Sequence, residues 1–464
     1  MHGHVIAAIS TPPGKGGVAV IRMSGKGSFD IAEKIFHPIS KKSIRDYRAR
    51  TQIYGYIIYN NERIDDGMLT LFPSPNSYTG EDVVEISCHG GMLITRTVLE
   101  SLFTAGATPA EAGEFTKRAF INGKLSLSEA ESIGMLLEAG SQEQIKLSAA
   151  PARAKLNEAV DIIRGDITDI MSSIYARIDY PDEDLGEFTD DETVERLTAV
   201  RKTLSELIDT YRTGRAINEG ISAVICGKPN VGKSTLYNVL LGEDAAIVTD
   251  IAGTTRDILE RTIPVGRVML RITDTAGVRS GEDIDTVEKI GIKKSKERMA
   301  SAELVLALFD LSRPFDTSDT ELLKELKSAH GYKICILNKS DLASGEFDRS
   351  SIEYGAFDET VEISADKDEV KTVQRLSEIV NRLFTDEKIS CGHNAIVSSA
   401  RQHASLLRAR EFIDTAINAY NARLPSDAAS SDIEMALGAI SELDGRAVSE
   451  SIVGDIFSKF CVGK

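Results

Sequence analysis

Residues 227–234 read Gly-Lys-Pro-Asn-Val-Gly-Lys-Ser and follow an apolar run, residues 221–226. An apolar-periodic helical segment comes next, and a G-x-x-x-x-G-K-[ST] loop between a strand and a helix closes its backbone N–H groups around phosphate oxygens. Lys233 can then reach the β- and γ-phosphates, and the Ser234 hydroxyl can bind Mg²⁺. The loop therefore predicts a nucleotide site. The residues assigned to it are Asn230, Val231, Gly232, Lys233, Ser234 and Thr235.

Three further motifs follow in the order that a GTPase requires. Asp274-Thr275-Ala276-Gly277 ends a strand-like run, where its aspartate can hold the metal through water. In Asn338-Lys339-Ser340-Asp341, the last carboxylate can accept both guanine N1–H and N2–H, a pair of donors that adenine lacks. Ser364-Ala365 can present a backbone N–H to guanine O6. Together the motifs predict that the nucleotide is GTP.

Candidate metal ligands lie in the segment that joins the first two motifs. Thr255 can bind Mg²⁺ when the γ-phosphate is present, and the Asn230 side chain offers an oxygen within the phosphate loop. Joined by the carbonyls of Thr249 and Ile251 and by Thr254, that oxygen suits K⁺, whose charge would replace an arginine finger. The residues of this segment assigned to the GTP site are Thr249, Asp250, Ile251, Ala252, Gly253, Thr254 and Thr255.

The position after Asp274-Thr275-Ala276-Gly277 carries Val278, where a Ras-type GTPase places the glutamine that orients water. Water must therefore be positioned by another group. Arg256 and Arg279 are candidate switch residues that help to order the closed state, and solvated loop charge is an equal alternative for both.

Composition limits the class of protein. A chain of 464 residues predicts two to four domains, and its net charge of −17 opposes a large nucleic-acid footprint, so an RNA partner would be held locally or by a second protein. The first residues lack the positive and apolar regions of a secretory leader, and no apolar run reaches membrane-spanning length, so we expect a cytoplasmic protein. Its five cysteines lack C-x-x-C spacing, so reduced thiols are expected.

The elements that position these motifs predict a multidomain α+β and α/β fold. Residues 1–120 alternate five β-rich runs with two helical stretches and form an α+β domain. Residues 121–216 show helical periodicity, which returns over 384–464. We therefore expect a discontinuous helical-bundle domain into which a Ras-like P-loop GTPase domain, residues 217–383, is inserted.

Four regions outside the GTPase motifs carry a resemblance. They are residues 11–18 with Arg22, residues 75–85 with the following His89-Gly90-Gly91, residues 113–125, and the terminal Phe460-Cys461-Val462-Gly463-Lys464. With these regions the chain resembles the MnmE (TrmE) family of tRNA modification GTPases over its full length. Ribosome-assembly GTPases resemble only the middle of the chain.

The resemblance implies a homodimer formed through a folate-binding N-terminal domain that takes a formyl-tetrahydrofolate one-carbon donor. Arg22, Glu85, Lys124 and Lys464 would contact the folate, and Glu288 would activate water. The K⁺ site would form when two GTPase domains dimerise. For Cys461, a structural or folate-proximal role is favoured over that of a nucleophile.

The implied reaction needs a second protein, MnmG, which uses FAD and NADH in a heterotetrameric or larger complex. Together the two would add an aminomethyl or carboxymethylaminomethyl group to C5 of the wobble uridine of certain tRNAs. Two alternatives stay open at this point. One is a ribosome-assembly GTPase switch, and the other is a scaffold whose GTPase only controls dimerisation.

Overall fold

The computed structural model describes residues 3–180, 188–242, 260–273, 298–343, 345–445 and 450–463. Two compact units divide the chain. The first comprises residues 1–137 and 441–464, and the second comprises residues 138–440. The four-segment division expected from the sequence stays a prediction.

The first unit contains a seven-stranded sheet in the order β3-β4-β5-β6-β2-β1-β7. Its strands are β1 Ile6–Ile9, β2 Val18–Ser24, β3 Phe36–Pro38, β4 Ile53–Tyr59, β5 Glu62–Phe72, β6 Val83–His89 and β7 Thr108–Pro109. All neighbours are antiparallel except β1 and β7. Along β2, Ala19, Ile21 and Met23 are buried in the core. The intervening residues therefore project from the opposite face, because side chains alternate along a strand.

The second unit contains a six-stranded sheet in the order β13-β12-β11-β8-β10-β9. Its strands are β8 Ile221–Gly227, β9 Glu260–Val265, β10 Val268–Thr273, β11 Leu304–Asp310, β12 Tyr332–Asn338 and β13 Glu359–Glu362. Only the β9–β10 pair is antiparallel. All seven residues of β11 are buried, as expected for a central strand covered on both faces. The carboxyl ends of β8, β11 and β12 meet at one edge, where the nucleotide motifs begin.

Fourteen helices lie in the described residues. They are α1 Ser28–Ile35, α2 Met92–Ala105, α3 Glu114–Ile121, α4 Leu127–Glu138, α5 Gln142–Ser148, α6 Ala150–Asp179, α7 Asp190–Asp209, α8 Tyr211–Asn218, α9 Lys233–Leu241, α10 Thr317–Leu326, α11 Glu369–Phe384, α12 Ala400–Asn421, α13 Ser426–Asp444 and α14 Glu450–Ser458. Helix α6 buries a stripe at helical spacing that includes Leu156, Val160 and Ile163. None of the helices in these residues is long and apolar enough to cross a membrane.

Candidate functional site

Two glycines shape the loop between β8 and α9. Gly227 has a φ of 149°, and a Cβ there would lie 2.7 Å from the Leu308 carbonyl oxygen. Gly232, which caps α9, has a φ of 99°, and a Cβ there would clash with Asn338 Nδ2. Residues with a side chain rarely adopt such left-handed backbone conformations. The loop can therefore pass this close to β11 and β12 only with glycine at both positions.

Lys233 begins α9 and lies beside the loop. Its Nζ donates to the carbonyls of Gly227 at 2.8 Å and Lys228 at 2.7 Å. Burial lowers the pKa of the Lys233 ammonium. An anionic phosphate placed against the N-terminus of α9 would counter this loss of hydration, because it pairs with the ammonium.

A cavity of about 640 Å³ opens in front of this loop, a volume in the range of small-molecule sites. Ten of the residues expected from sequence line it: Asn230, Gly232, Lys233, Ser234, Thr235, Asn338, Lys339, Asp341, Ser364 and Ala365. Leu342, Asp366 and Lys367 line it as well and were not expected. The structure thus brings the phosphate-loop residues and both base motifs to one cavity.

Asn338 connects three of the motifs. Its side chain is buried; Nδ2 donates to the Val231 carbonyl at 2.8 Å, and Oδ1 accepts from the Ala365 backbone N–H at 3.1 Å. The Ala365 N–H was expected to face guanine O6, but it already donates to Asn338. A bound guanine would have to share this N–H with Asn338. Ser364 Oγ donates to Asp341 Oδ1 at 2.5 Å and orients that carboxylate.

Asp310, at the end of β11, was missed by the sequence reasoning. It is buried and accepts hydrogen bonds from Lys339 Nζ at 2.7 Å and Arg313 Nε at 2.9 Å. Burial raises the pKa of Asp310, but bonds from Lys339 and Ser312 outweigh it and hold the pKa at about 2. The signal was present in the sequence, since an aspartate directly ends an otherwise apolar run.

Several expected site residues lie outside the described residues. They are Thr249, Asp250, Ile251, Ala252, Gly253, Thr254, Thr255, Arg256, Asp274, Thr275, Ala276, Gly277, Arg279, Glu288 and Lys464. Of the expected Mg²⁺ ligands, the described part of the chain thus holds Ser234, whose exposed hydroxyl lies on the cavity wall and suits that ion. Of the expected K⁺ ligands it holds Asn230, which is exposed with a φ of 63°.

In the first unit, Arg22 and Glu85 face each other across β2 and β6. Arg22 Nε and Nη2 both approach Glu85 Oε1, at 2.9 Å and 2.8 Å. The Arg22 guanidinium also lies 5.3 Å from the ring centre of Tyr78 and 5.7 Å from that of Phe115. The two residues expected at a folate site thus form one ion pair flanked by aromatic rings.

Two other expected residues lie near this sheet. The Lys124 side chain is exposed, and its stem passes Gly80, in the loop that also carries Tyr78. Cys461 is exposed, and its carbonyl accepts from the Gly113 N–H at 3.4 Å. The chain then runs on beside β1, where Ser10 Oγ donates to the Gly463 carbonyl at 3.1 Å.

A buried arginine underlies the same region. Arg118 on α3 is fully buried, and its guanidinium pairs with Glu114 at 2.8 Å and Glu81 at 3.1 Å. It also donates to the His4 carbonyl at 3.2 Å. This network fastens α3 to the loop before β6, and in the same loop the Tyr78 hydroxyl lies 2.9 Å from Thr116 Oγ1 on α3.

Comparisons with known proteins cover nearly the whole chain. The family described as "GTP-binding protein TrmE N-terminus" matches residues 5–124, and the MnmE helical domain matches residues 127–461. The tRNA modification GTPase MnmE of Clostridioides difficile is 38% identical over 459 residues, 99% of each chain. That of Thermotoga maritima is 39% identical over 461 residues, again 99% of each.

Solved structures resemble a smaller part of the chain. An Aquifex aeolicus Era variant bound to GDP and AlF4− covers 41% of this chain, and 66% of its own, at 21% identity and a TM-score of 0.26. The FeoB G-domain of Methanococcus jannaschii covers 36% of this chain and 98% of its own at 23% identity and a TM-score of 0.27.

Proposed function

Because the chain belongs to the MnmE family of tRNA modification GTPases, we propose that it acts with MnmG to modify C5 of the wobble uridine in certain tRNAs. The group added is aminomethyl or carboxymethylaminomethyl. The chain itself is a GTP hydrolase. The observation that carries the proposal is the match to MnmE relatives over 99% of both chains.

The GTP step rests on the cavity of the second unit. Lys233 and the N–H groups at the start of α9 bind the β- and γ-phosphates, and Asp341 selects guanine. When bound beside Ser234 and Thr255, Mg²⁺ neutralises charge on the transferred phosphoryl group. A K⁺ held by Asn230, Thr249, Ile251 and Thr254 adds positive charge at the same place. Glu288 orients the attacking water.

The one-carbon step rests on the first unit. Formyl-tetrahydrofolate supplies the carbon, and Arg22, Glu85, Lys124 and Lys464 hold it. The partly exposed Tyr78 ring beside Arg22 supports this assignment, because a flat heterocycle stacks on such a face, whereas the Phe115 ring is fully buried. Glu85 can accept ring N–H groups, and the basic residues can pair with the glutamate carboxylates.

Partners follow from charge and from the family. The 71 acidic residues of the chain outnumber its 54 basic residues, and the net charge of −17 repels a tRNA backbone, so MnmG supplies much of the tRNA surface, together with FAD and NADH. The chain itself forms a homodimer through its N-terminal domain, and the complex is heterotetrameric or larger. We place it in the cytoplasm, where tRNA is modified.

Nucleoside mass spectrometry of bulk tRNA tests the proposal directly. Cells that lack this chain should lose the 5-substituted wobble uridine, and an intact gene should restore it. A Lys233→Ala gene should not restore it, because the phosphates lose their cation. Unchanged tRNA in the deleted strain would overturn the proposal, and ribosomal subunit profiles of that strain would then test the ribosome-assembly alternative.

The water-activating role of Glu288 needs a separate test. A Glu288→Ala protein should bind GTP with unchanged affinity and lose most of its steady-state turnover, because the side chain acts only on the water. Hydrolysis at the wild-type rate would remove Glu288 from the mechanism while leaving the tRNA proposal standing.

A further inference from the structure

Three carboxylates lie in the connection from the end of β11 to the first turn of α10. They are Asp310, Asp316 and Asp319, and none belongs to the four nucleotide motifs. Each pairs with a cation that either belongs to the phosphate loop or donates to one of its carbonyls. The β11–α10 connection therefore holds the phosphate loop, although it belongs to none of the nucleotide motifs.

The first brace runs through Asp310. Lys339 Nζ donates to Asp310 Oδ2 at 2.7 Å and to the Asn230 carbonyl at 2.9 Å. Arg313 donates through Nε to Asp310 Oδ2 at 2.9 Å and through Nη2 to the Pro229 carbonyl at 3.1 Å. One buried carboxylate thus aims two cations at consecutive carbonyls of the loop.

The second brace runs through Lys228, the second residue of the loop motif. Its side chain is only 8% exposed, and Nζ donates to Asp316 Oδ2 at 2.8 Å and Asp319 Oδ2 at 2.5 Å. Asp316 also caps α10, accepting from the Ser318 N–H at 2.8 Å. Lys228 does not line the nucleotide cavity of the described residues. Its charge serves the helix connection rather than a phosphate.

These contacts act on a strained part of the backbone. Asn230 has a φ of 63°, a left-handed conformation that costs free energy for a residue other than glycine. Such strain persists only where the surroundings fix it, and here Lys339 holds the carbonyl of the strained residue. With the carbonyls of Pro229 and Asn230 bound behind the loop, its N–H groups stay free to face phosphate oxygens.

We propose that the β11–α10 connection keeps the phosphate loop in its nucleotide-binding shape, with Asp310 and Arg313 as positioning residues. Both act through the loop carbonyls, and neither is among the described residues that line the nucleotide cavity. When the contacts of Asp310 and Arg313 are lost, the empty loop can relax to a shape that no longer fits the phosphates. Nucleotide binding is then weaker, and the main consequence is faster nucleotide release. The inference rests on GTP hydrolysis alone and is independent of the tRNA substrate.

Arg313→Gln is the first test, because the arginine side chain is 38% exposed and its loss leaves little unfilled space. In stopped-flow measurements with fluorescent GDP, its dissociation rate should rise roughly tenfold, the effect of losing a charge-assisted hydrogen bond. The KM for GTP should change by a larger factor than kcat. The matched control is Arg382→Gln, which removes an arginine paired with Glu359 on β13 and should change neither.

Asp310→Asn and Asp310→Glu form the second test. The amide should speed GDP release more than Arg313→Gln does, because both cations lose their partner. The longer carboxylate should restore part of the wild-type rate. Melting curves recorded with and without GDP identify a purely structural role. Such a role would lower the melting temperature equally in both conditions and would leave the rate of GDP release unchanged. Wild-type release rates in Arg313→Gln and Asp310→Asn proteins that fold would overturn the proposal.

Discussion

We propose that the selection of guanine depends on the exposed carboxylate of Asp341. Ser364 orients Asp341, whose oxygens can accept the two N–H donors of guanine. In Asp341→Asn an amide donor replaces one acceptor and suits xanthine, which has a carbonyl where guanine has an amino group. We expect GTP affinity to fall roughly 100-fold and XTP affinity to rise relative to it, measured by displacement of a fluorescent nucleotide.

A matched control for this change lies in the same cavity. Asp366 also lines it, is exposed, and lies next to Ala365 rather than in the Asn338–Asp341 motif. Asp366→Asn removes the same formal charge and should leave the preference for GTP over XTP unchanged. An equal loss of the preference for GTP over XTP in the two variants would show that this preference depends on the total charge of the cavity and not on contacts with the base.

Arg118 is among the largest fully buried side chains of the described residues. In Arg118→Met the apolar volume is largely kept, but Glu81 and Glu114 lose the cation that compensates their burial. The variant should lose about 3–5 kcal/mol of unfolding free energy, measured by urea denaturation. Arg96→Met serves as control, since this 77% exposed arginine pairs with Glu100 along α2 and should cost below about 0.5 kcal/mol.

Asp310 gives the second unit a defined response to acid. Its pKa of about 2 lies below the ordinary value of 3.8. The ionised carboxylate therefore stabilises the folded state fully above about pH 5, and this stabilisation is lost as the pH falls through 2. The difference corresponds to about 2 kcal/mol. The melting temperature of wild type should therefore exceed that of Asp310→Asn most at neutral pH, and the gap should narrow below pH 4. A gap independent of pH would contradict this assignment.

Two glycines, one at the N-cap of a helix and one inside a helix, test the backbone argument at the scale of elements. Gly232→Ala should abolish measurable nucleotide binding, because a left-handed φ of 99° is strained for alanine and its Cβ meets Asn338. Gly165→Ala lies within α6, with no atom within 4 Å of the added Cβ, and should raise unfolding free energy by roughly 0.5–1 kcal/mol. Nucleotide titration and thermal melts distinguish the two effects. Normal GDP binding by Gly232→Ala would refute the tight approach.

The elements show why sequence patterns identified some features and missed others. The fold class was confirmed, and each of the five β-rich runs of the first 120 residues overlaps a strand, although the first and third runs begin one residue too early, at Val5 and Gln52. These runs were found because alternation and motif-flanking runs are local signals. β11 was not singled out, since a strand buried on both faces has no alternation. The short β3 and β7 depend on distant partners in the sheet, which periodicity cannot reveal.

The same distinction holds for the site. Asn338, Lys339 and Asp341 were found because one contiguous motif at the end of β12 carries all three. The brace from Asp310 to the phosphate loop was not found, because it requires β11 to lie between β8 and β12 in the sheet. That order brings Lys339 to the carboxylate of Asp310, which Arg313 contacts from three residues along the chain.

At the scale of the whole molecule, the reactivity of the five cysteines can show whether the cores of both units are closed to solvent. Cys88 lies in the first unit and Cys226, Cys335 and Cys391 in the second; all four are buried, whereas Cys461 is exposed. Burial raises the pKa of Cys88 to about 11 and those of Cys226 and Cys335 to about 12, and it raises the pKa of Cys391 too. Thiolate, the reactive form, is therefore scarce at every buried position.

Iodoacetamide at about pH 7.5 should accordingly modify one cysteine per native chain, because only an accessible thiolate reacts at a useful rate. Intact mass spectrometry should show one adduct on wild type, none on Cys461→Ser, and complete modification of all five in denaturant. Modification of Cys226 in the native protein would contradict the burial of β8. Because β8 leads directly into the phosphate loop, such a result would also mean that the loop opens on the timescale of labelling, and repeating the experiment with GDP would show whether nucleotide closes it.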